Sequence, residues 1–265
     1  MQLFELAGAE DARKTSPFCW RIRFALRHKK LQFDSLPWRR VEKERLAETG
    51  QGKVPVLIDG DRTLHDSWKI AEYLDTQYPD LPLLFFGDTG KENVRLTGQT
   101  IRFKVNWVDH GLLRALRNII SHGSIEVSAE KDKEFYTNKL QTVHGVDLPT
   151  VGASEQHLSH LNGVLEPMRL TLQTQDYLGG SSPTYADFAA AGAFAWARSV
   201  SPIKLLEESD PLYIWRARVF EQFHHDLTET IGYPLGSHNL VHNRSVRASD
   251  DQVPSLFGHK SPRMH

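Results

Sequence analysis

Cysteine is almost absent from this chain. Cys19 stands alone among 265 residues, which excludes an intrachain disulfide framework, a cysteine-based zinc site and any reaction that needs two protein thiols. Tyrosine is missing from the first part: none precedes Tyr73, so no phenol near the start can serve as an activating hydroxyl. No run of about 18 apolar residues occurs, and no segment is expected to span a bilayer. Neither charge sign is in excess, since 32 Lys and Arg face 33 Asp and Glu for a net charge of −1. That balance gives no electrostatic reason to expect nucleic acid or an anionic membrane as partner. Phosphate-loop and dinucleotide glycine fingerprints are missing too. The opening residues carry no basic region followed by an apolar core, and with the lone thiol this leads to the expectation of a cytoplasmic protein.

What is present divides the chain into unlike parts. Gln2 to Leu6 alternates as a short strand, and Pro17 opens a helix with Ile22, Ala25 and Leu26 at helical spacing. Phe33 to Pro37 reads as a second strand and Glu42 to Glu48 as a short, loosely held helix. Pro55–Ile58 and Thr63–His65 flank Asp59-Gly60, a hairpin signal. A helix then runs through Tyr78. The order β-α-β-α-β-β-α is that of a thioredoxin-like domain, assigned to residues 1–79, with a Pro/Gly-containing linker at 80–90. Residues 91–235 read as all-helical. The expected helices are one long one over Val94–Ile120, then Ser128–His144, Ser154–Gln173, Thr184–Val200 and Pro211–Thr230. A polar tail occupies 236–265. His238 and His242 lie in that tail without an acidic companion, and His224-His225 diverge on any helix, so all four read as surface histidines rather than metal ligands.

The chemistry-bearing residues cluster in the first part. Ser16 precedes Pro17 at a helix start, where free N–H groups and the helix dipole favour an anion. A hydroxyl there can donate to a bound thiolate, or can simply cap the helix. Cys19, in the first turn, is read as structural. Val54-Pro55 is a candidate cis step that would present the backbone of Val54 to an extended peptide; the plain alternative is a trans proline opening a strand. Asp66-Ser67 begins the next helix. Ser67 can cap it and take a carboxylate, and Asp66 can hold an ammonium, which together suit a γ-glutamyl group. Thr184 and Asp187 form a capping-box pattern with a structural role.

Ser16-Pro17-Phe18-Cys19-Trp20-Arg21, Lys53-Val54-Pro55-Val56-Leu57, the run His65 to Leu74, and Gly179-Gly180 with Ala186-Asp187 resemble the glutathione transferases over about residues 2–230. The Ser-Pro-x-x-Trp-Arg start and the Asp-Ser-Trp-x-Ile-Ala-Glu-Tyr-Leu-Asp run look like the bacterial β-etherases and the fungal etherase-like Fu class. The resemblance implies glutathione as co-substrate, with Ser16 at its sulfur and Phe18 and Pro55 nearby. It further implies Val54 pairing with the cysteinyl backbone, Lys53 reaching the glycyl carboxylate, and Asp66 and Ser67 at the γ-glutamyl end. The implied activity is attack of the glutathione thiolate on an aromatic electrophile, extending to cleavage of a β-aryl ether in lignin-derived aromatics or to detoxification. The alternative is a protein of the same fold that binds hydrophobic aromatics without turning them over. The second substrate is expected to be apolar and aromatic, between the 8–15 loop and the long helix, with Trp107 and His110 as candidate wall residues. The polar segment 122–153 is another place for a pocket wall. A homodimer is compatible with the resemblance.

Overall fold

The computed structural model describes residues 1–85 and 94–234; the tail at 236–265, with His238 and His242, lies outside these. A four-stranded sheet is built from β1 (Gln2–Leu6), β2 (Asp34–Trp38), β3 (Val56–Asp59) and β4 (Arg62–His65), in the order β2-β1-β3-β4. β2 runs parallel to β1, whereas β3 and β4 are antiparallel additions joined by a tight turn in which Gly60 has φ 57°. Helix α1 (Pro17–His28) crosses between the parallel strands, and α2 (Ser67–Gln77) follows β4. The segment at 43–49 is a 3₁₀ helix. This is a thioredoxin-like domain. The linker expected at 80–90 falls between α2 and the next helix, with 86–90 outside the described residues.

The remainder is helical: α3 (Val94–Trp107), α4 (Leu113–Glu126), α5 (Glu130–Thr142), α6 (Glu155–Leu172), α7 (Tyr185–Val200), α8 (Pro211–Gln222) and α9 (His224–Thr228). Two expected helices differ. The long helix over 94–120 reaches Glu126 and is interrupted by a π turn at Val108–Leu112. The helix over 211–230 breaks at Phe223, whose ring turns inward to stack on Phe24 at 4.6 Å and meet Phe188 edge-on at 5.6 Å.

α7 is the central post of the molecule. Every residue from Tyr185 to Val200 except Arg198 is buried, and its seven alanines let neighbours approach closely. One face packs along α1. A Cβ on Gly192 would sit 2.8 Å from the Pro17 carbonyl oxygen and 3.1 Å from the Arg21 nitrogen. Its start is anchored by Asp187, which accepts from Thr184 N (2.9 Å), Leu178 N (2.7 Å) and Trp215 Nε1 (3.0 Å). The capping residue thus also ties α8 and the preceding loop to α7.

Buried ions fasten α1 from its other side. Glu5 on β1 binds Arg23, and Arg23 also reaches Asp226 on α9 at 2.7 Å. Lys29 pairs with Asp75 of α2 at 2.8 Å. Leaving one member of such a pair alone in the interior is costly, so α1 is held in one register against the sheet, α2 and α9.

Gly192→Ala tests the close approach. The added methyl meets backbone rather than a movable side chain, so destabilisation of about 1–3 kcal/mol is expected. The melting temperature should fall by several degrees. An unchanged value would show that α1 and α7 separate without cost.

Candidate functional site

β1 ends beside the start of α1, and this junction is pinned locally. Thr15 N donates to Leu6 O at 3.0 Å, and Trp20 Nε1 donates to Lys14 O at 3.0 Å. Ser16 is therefore fixed as the N-cap of α1, in extended conformation and nearly buried, with its Oγ accepting from Cys19 N at 3.4 Å. Pro17 at the first helical position lacks an N–H that would otherwise go unpaired.

Ser16 opens onto a cleft of about 840 Å³ between the sheet domain and the helices. Phe18, Lys53, Val54, Pro55, Asp66 and Ser67 line it as well, so the residues singled out in the first domain converge on one hollow. The Val54–Pro55 bond is cis. Val54 lies just before β3, and its N–H and C=O enter none of the backbone hydrogen bonds among the described residues. An extended chain could pair there. The capping role at α2 falls to the other residue of the pair: Asp66, with φ 69°, accepts from Trp68 N (2.9 Å) and Lys69 N (3.1 Å), both on Oδ1. Its Oδ2 remains for a cation. Ser67 is buried and held from behind, its carbonyl accepting from the Tyr185 hydroxyl at 2.6 Å.

The helical wall differs from expectation. Trp107 and His110 do not line the cleft; Arg102, Val105, Asn106 and Asp109 do. Helical phase is the reason, because residues three and four apart share a face. Trp107 instead packs beside Gly111 and partly against the core. The π turn carries Asp109 to the cleft, where Arg21 pairs with it through Nη1 at 3.3 Å and Nη2 at 2.5 Å. Of the 8–15 loop only Thr15 contributes. The opposite wall comes from α5 and its exit, including Phe135, Tyr136, Lys139 and His144, within the polar segment 122–153.

Nor is that wall apolar. Seven Lys and Arg residues line the cleft against two carboxylates, Asp66 and Asp109. Burial, reinforced by Arg40, Lys53 and Arg117, lowers the Lys139 ammonium to about 8. Burial together with Arg117, Lys139 and Arg40 holds His144 down to about 4, so its imidazole is neutral at pH 7. No motif marks the seven cations in the sequence, because they come from seven separate segments.

Cys19 points away from this chemistry. It is fully buried with Phe4, Leu6, Trp38, Leu46 and Val56, and it is not a lining residue. Burial, with Glu5 adding to it, pushes its thiol up to about 12. The folded protein should therefore resist a thiol reagent such as dithionitrobenzoate at neutral pH and react with one equivalent only after denaturation. Rapid labelling of the native protein would contradict this placement.

Two family models match the chain: glutathione S-transferase, N-terminal domain, over residues 12–82, and glutathione S-transferase, C-terminal domain, over 102–210. Among curated proteins, glutathione S-transferases Z1 and Z2 of Arabidopsis thaliana are each 36% identical over 69 residues. Those matches cover 24% of this chain and 31% of each relative, so they span about a third of the relatives' length. Solved structures show the same fold over more of the chain. Glutathione transferase GSTFuA3 from Phanerochaete chrysosporium superposes with a TM-score of 0.71, covering 83% of this chain and 96% of that one at 18% identity. A glutathione S-transferase of Ceriporiopsis subvermispora, solved in complex with glutathione, gives 0.67 over 87% and 97% at 19% identity. Among the described residues no helix is long and apolar enough to cross a membrane. With both family domains matched in order along one polypeptide, the chain belongs to the glutathione S-transferase superfamily.

Proposed function

We propose that this protein is a glutathione transferase in which Ser16 stabilises the glutathione thiolate for attack on an aromatic electrophile. The observation that carries the reading is the convergence of Ser16, Val54, Asp66 and Ser67 on one cleft, each offering a different element of peptide recognition. Val54 presents unpaired backbone to the cysteinyl residue. Ser67 and the start of α2 take the γ-glutamyl carboxylate, and Asp66 Oδ2 takes its ammonium. Lys53, exposed at the rim and without an ion pair among the described residues, takes the glycyl carboxylate. The sulfur then lies at the start of α1, where the Ser16 hydroxyl and the helix dipole lower a thiol pKa that is ordinarily about 8.5.

In the etherase form of the reaction, the sulfur bonds to the electrophilic carbon as the bond from that carbon to the aryl oxygen breaks. The electron pair leaves with the phenolate. The thiol proton goes to solvent, and the phenolate takes one up. One glutathione becomes a thioether, with no change of oxidation state that would call for an external reductant. The Ser-Pro-x-x-Trp-Arg start, which resembles that of the β-etherases, favours this form, acting on lignin-derived aromatics in the cytoplasm.

Ser16→Ala should lower kcat/KM by about 10²-fold, the scale of losing one aligned donor to a reacting anion, while glutathione still binds in a calorimetric titration. The assay is glutathione-dependent release of a fluorescent phenol from a model β-aryl ether, run beside conjugation of an activated aryl chloride. Equal rates in Ser16→Ala and wild type would overturn the role of Ser16. Binding of glutathione with neither reaction would leave a carrier of aromatic ligands.

A further inference from the structure

The cleft holds more positive charge than glutathione can neutralise. Of its seven lysines and arginines, only Arg21 enters an ion pair among the described residues, with Asp109. Arg40, Lys43, Lys53, Arg102, Arg117 and Lys139 have none. Asp132 lies close to Arg40, but its two oxygens accept from the backbone nitrogens of Arg40 and Val41, each at 2.8 Å, and do not pair with the guanidinium. A bound glutathione thiolate would bring two carboxylates and the sulfur anion against one ammonium. Asp66 offsets one further cation. A positive surplus remains.

The surplus gathers around Lys139, which Arg40, Arg117 and Lys53 all repel. Lys53 and the start of α2 lie where the proposed reading puts the two glutathione carboxylates. Arg117 on α4 and Lys139 on α5 come from the helical domain, and Arg40 follows β2 and faces them from the sheet domain. Aromatic surface adjoins these charges: the Arg40 guanidinium lies 4.6 Å from the Tyr136 ring centroid, and Lys43 lies 5.7 Å from that of Phe135. A hollow that combines ring faces with unpaired guanidinium and ammonium groups recognises a planar anion on an aromatic body.

We propose that the second substrate is an aromatic carboxylate, its ring against Tyr136 and Phe135 and its charge taken by Arg117, Lys139 and Arg40. This rests on the glutathione transferase reading and narrows its acceptor, replacing the expected apolar aromatic with an anionic one. Burial lowers the Lys139 ammonium and suppresses charge on His144, and the mutual repulsion of these cations adds to it; the repulsive part is relieved when such an anion enters.

The test compares two glutathione conjugates by calorimetry, that of a dinitrobenzoate and that of the corresponding dinitrobenzamide. Both carry the same glutathione carboxylates, so the difference between them isolates the charge on the acceptor. The acid conjugate should bind wild type at least about tenfold more tightly, a difference of about 1.4 kcal/mol. That ratio should fall toward one in Arg117→Gln and in Lys139→Gln. Binding of the amide conjugate by the same variant shows that it is folded, and Arg40→Gln substitutes for either variant that is not. Equal binding of acid and amide by wild type would overturn the anionic acceptor and leave the transferase reading standing. A preference for the acid that persists in the variants would overturn the assignment to these side chains. Failure of both conjugates to bind wild type would reject the glutathione reading, and this inference with it.

Discussion

Backbone contact between α1 and α7 sets the terms for the rest of this molecule. The start of α1 has to be immovable if its N–H groups and the Ser16 hydroxyl are to face one point in space, and a helix end held only by its own hydrogen bonds frays. Here it is clamped. Gly192 brings α7 against the Pro17 carbonyl and the Arg21 nitrogen, Trp20 anchors on Lys14, and Arg23 and Lys29 lock the remaining turns through buried ion pairs. The Ala-rich sequence of α7 follows from that requirement: larger side chains would hold the two helices apart. Fold stability and site geometry are thus parts of the same packing problem.

The cleft between the domains draws on both of them. The sheet domain contributes a helix cap, an unpaired stretch of backbone and a hydroxyl at a helix start, together with Arg21, Arg40, Lys43 and Lys53. The helical domain contributes further charge through Arg102, Arg117 and Lys139. Within the cleft, among the described residues, Arg21–Asp109 is the ion pair that bridges the two halves, and the π turn at 108–112 is what delivers Asp109 to it.

How far the sequence could be read depended on the range of the interactions. Ser16, Val54-Pro55 and Asp66-Ser67 act through neighbours within a few residues, and their pattern could be read directly. The hairpin at Asp59-Gly60 and the cap at Thr184 were legible for the same reason. The choice between Asp66 and Ser67 as cap was not, because it turns on the positive φ at Asp66, which no spacing reveals. Nor was the π turn. The apolar positions 101, 105, 108, 112 and 116 fit a continuous α-helix equally well, and the one sign of a changed phase is that Leu112 and Leu113 are both buried. Trp107 and His110 were drawn to the site by residue type alone, while the face of α3 that meets the cleft is decided by tertiary contacts. Arg40, Arg117 and Lys139 converge from positions about a hundred residues apart in the extreme case, and no local signal reports such a meeting.

The hydrogen bond from the Tyr185 hydroxyl to the Ser67 carbonyl, with Tyr185 N donating to Leu84 O at 2.7 Å, joins the first residue of α7 to the start of α2 in the other domain. Thermodynamically the two halves are then not separable parts. A ligand that tightens the start of α2 also favours the docked position of α7, and docking of α7 in turn raises the affinity of that start for the ligand, by the same free energy in each direction. Under the proposed reading, the sheet domain cut away from its partner would keep the side chains assigned to glutathione in that domain yet lose the support that holds Ser67 in place. On that reading glutathione affinity is a property of the whole chain, and a substitution deep in the helical domain can weaken it without coming near the cleft.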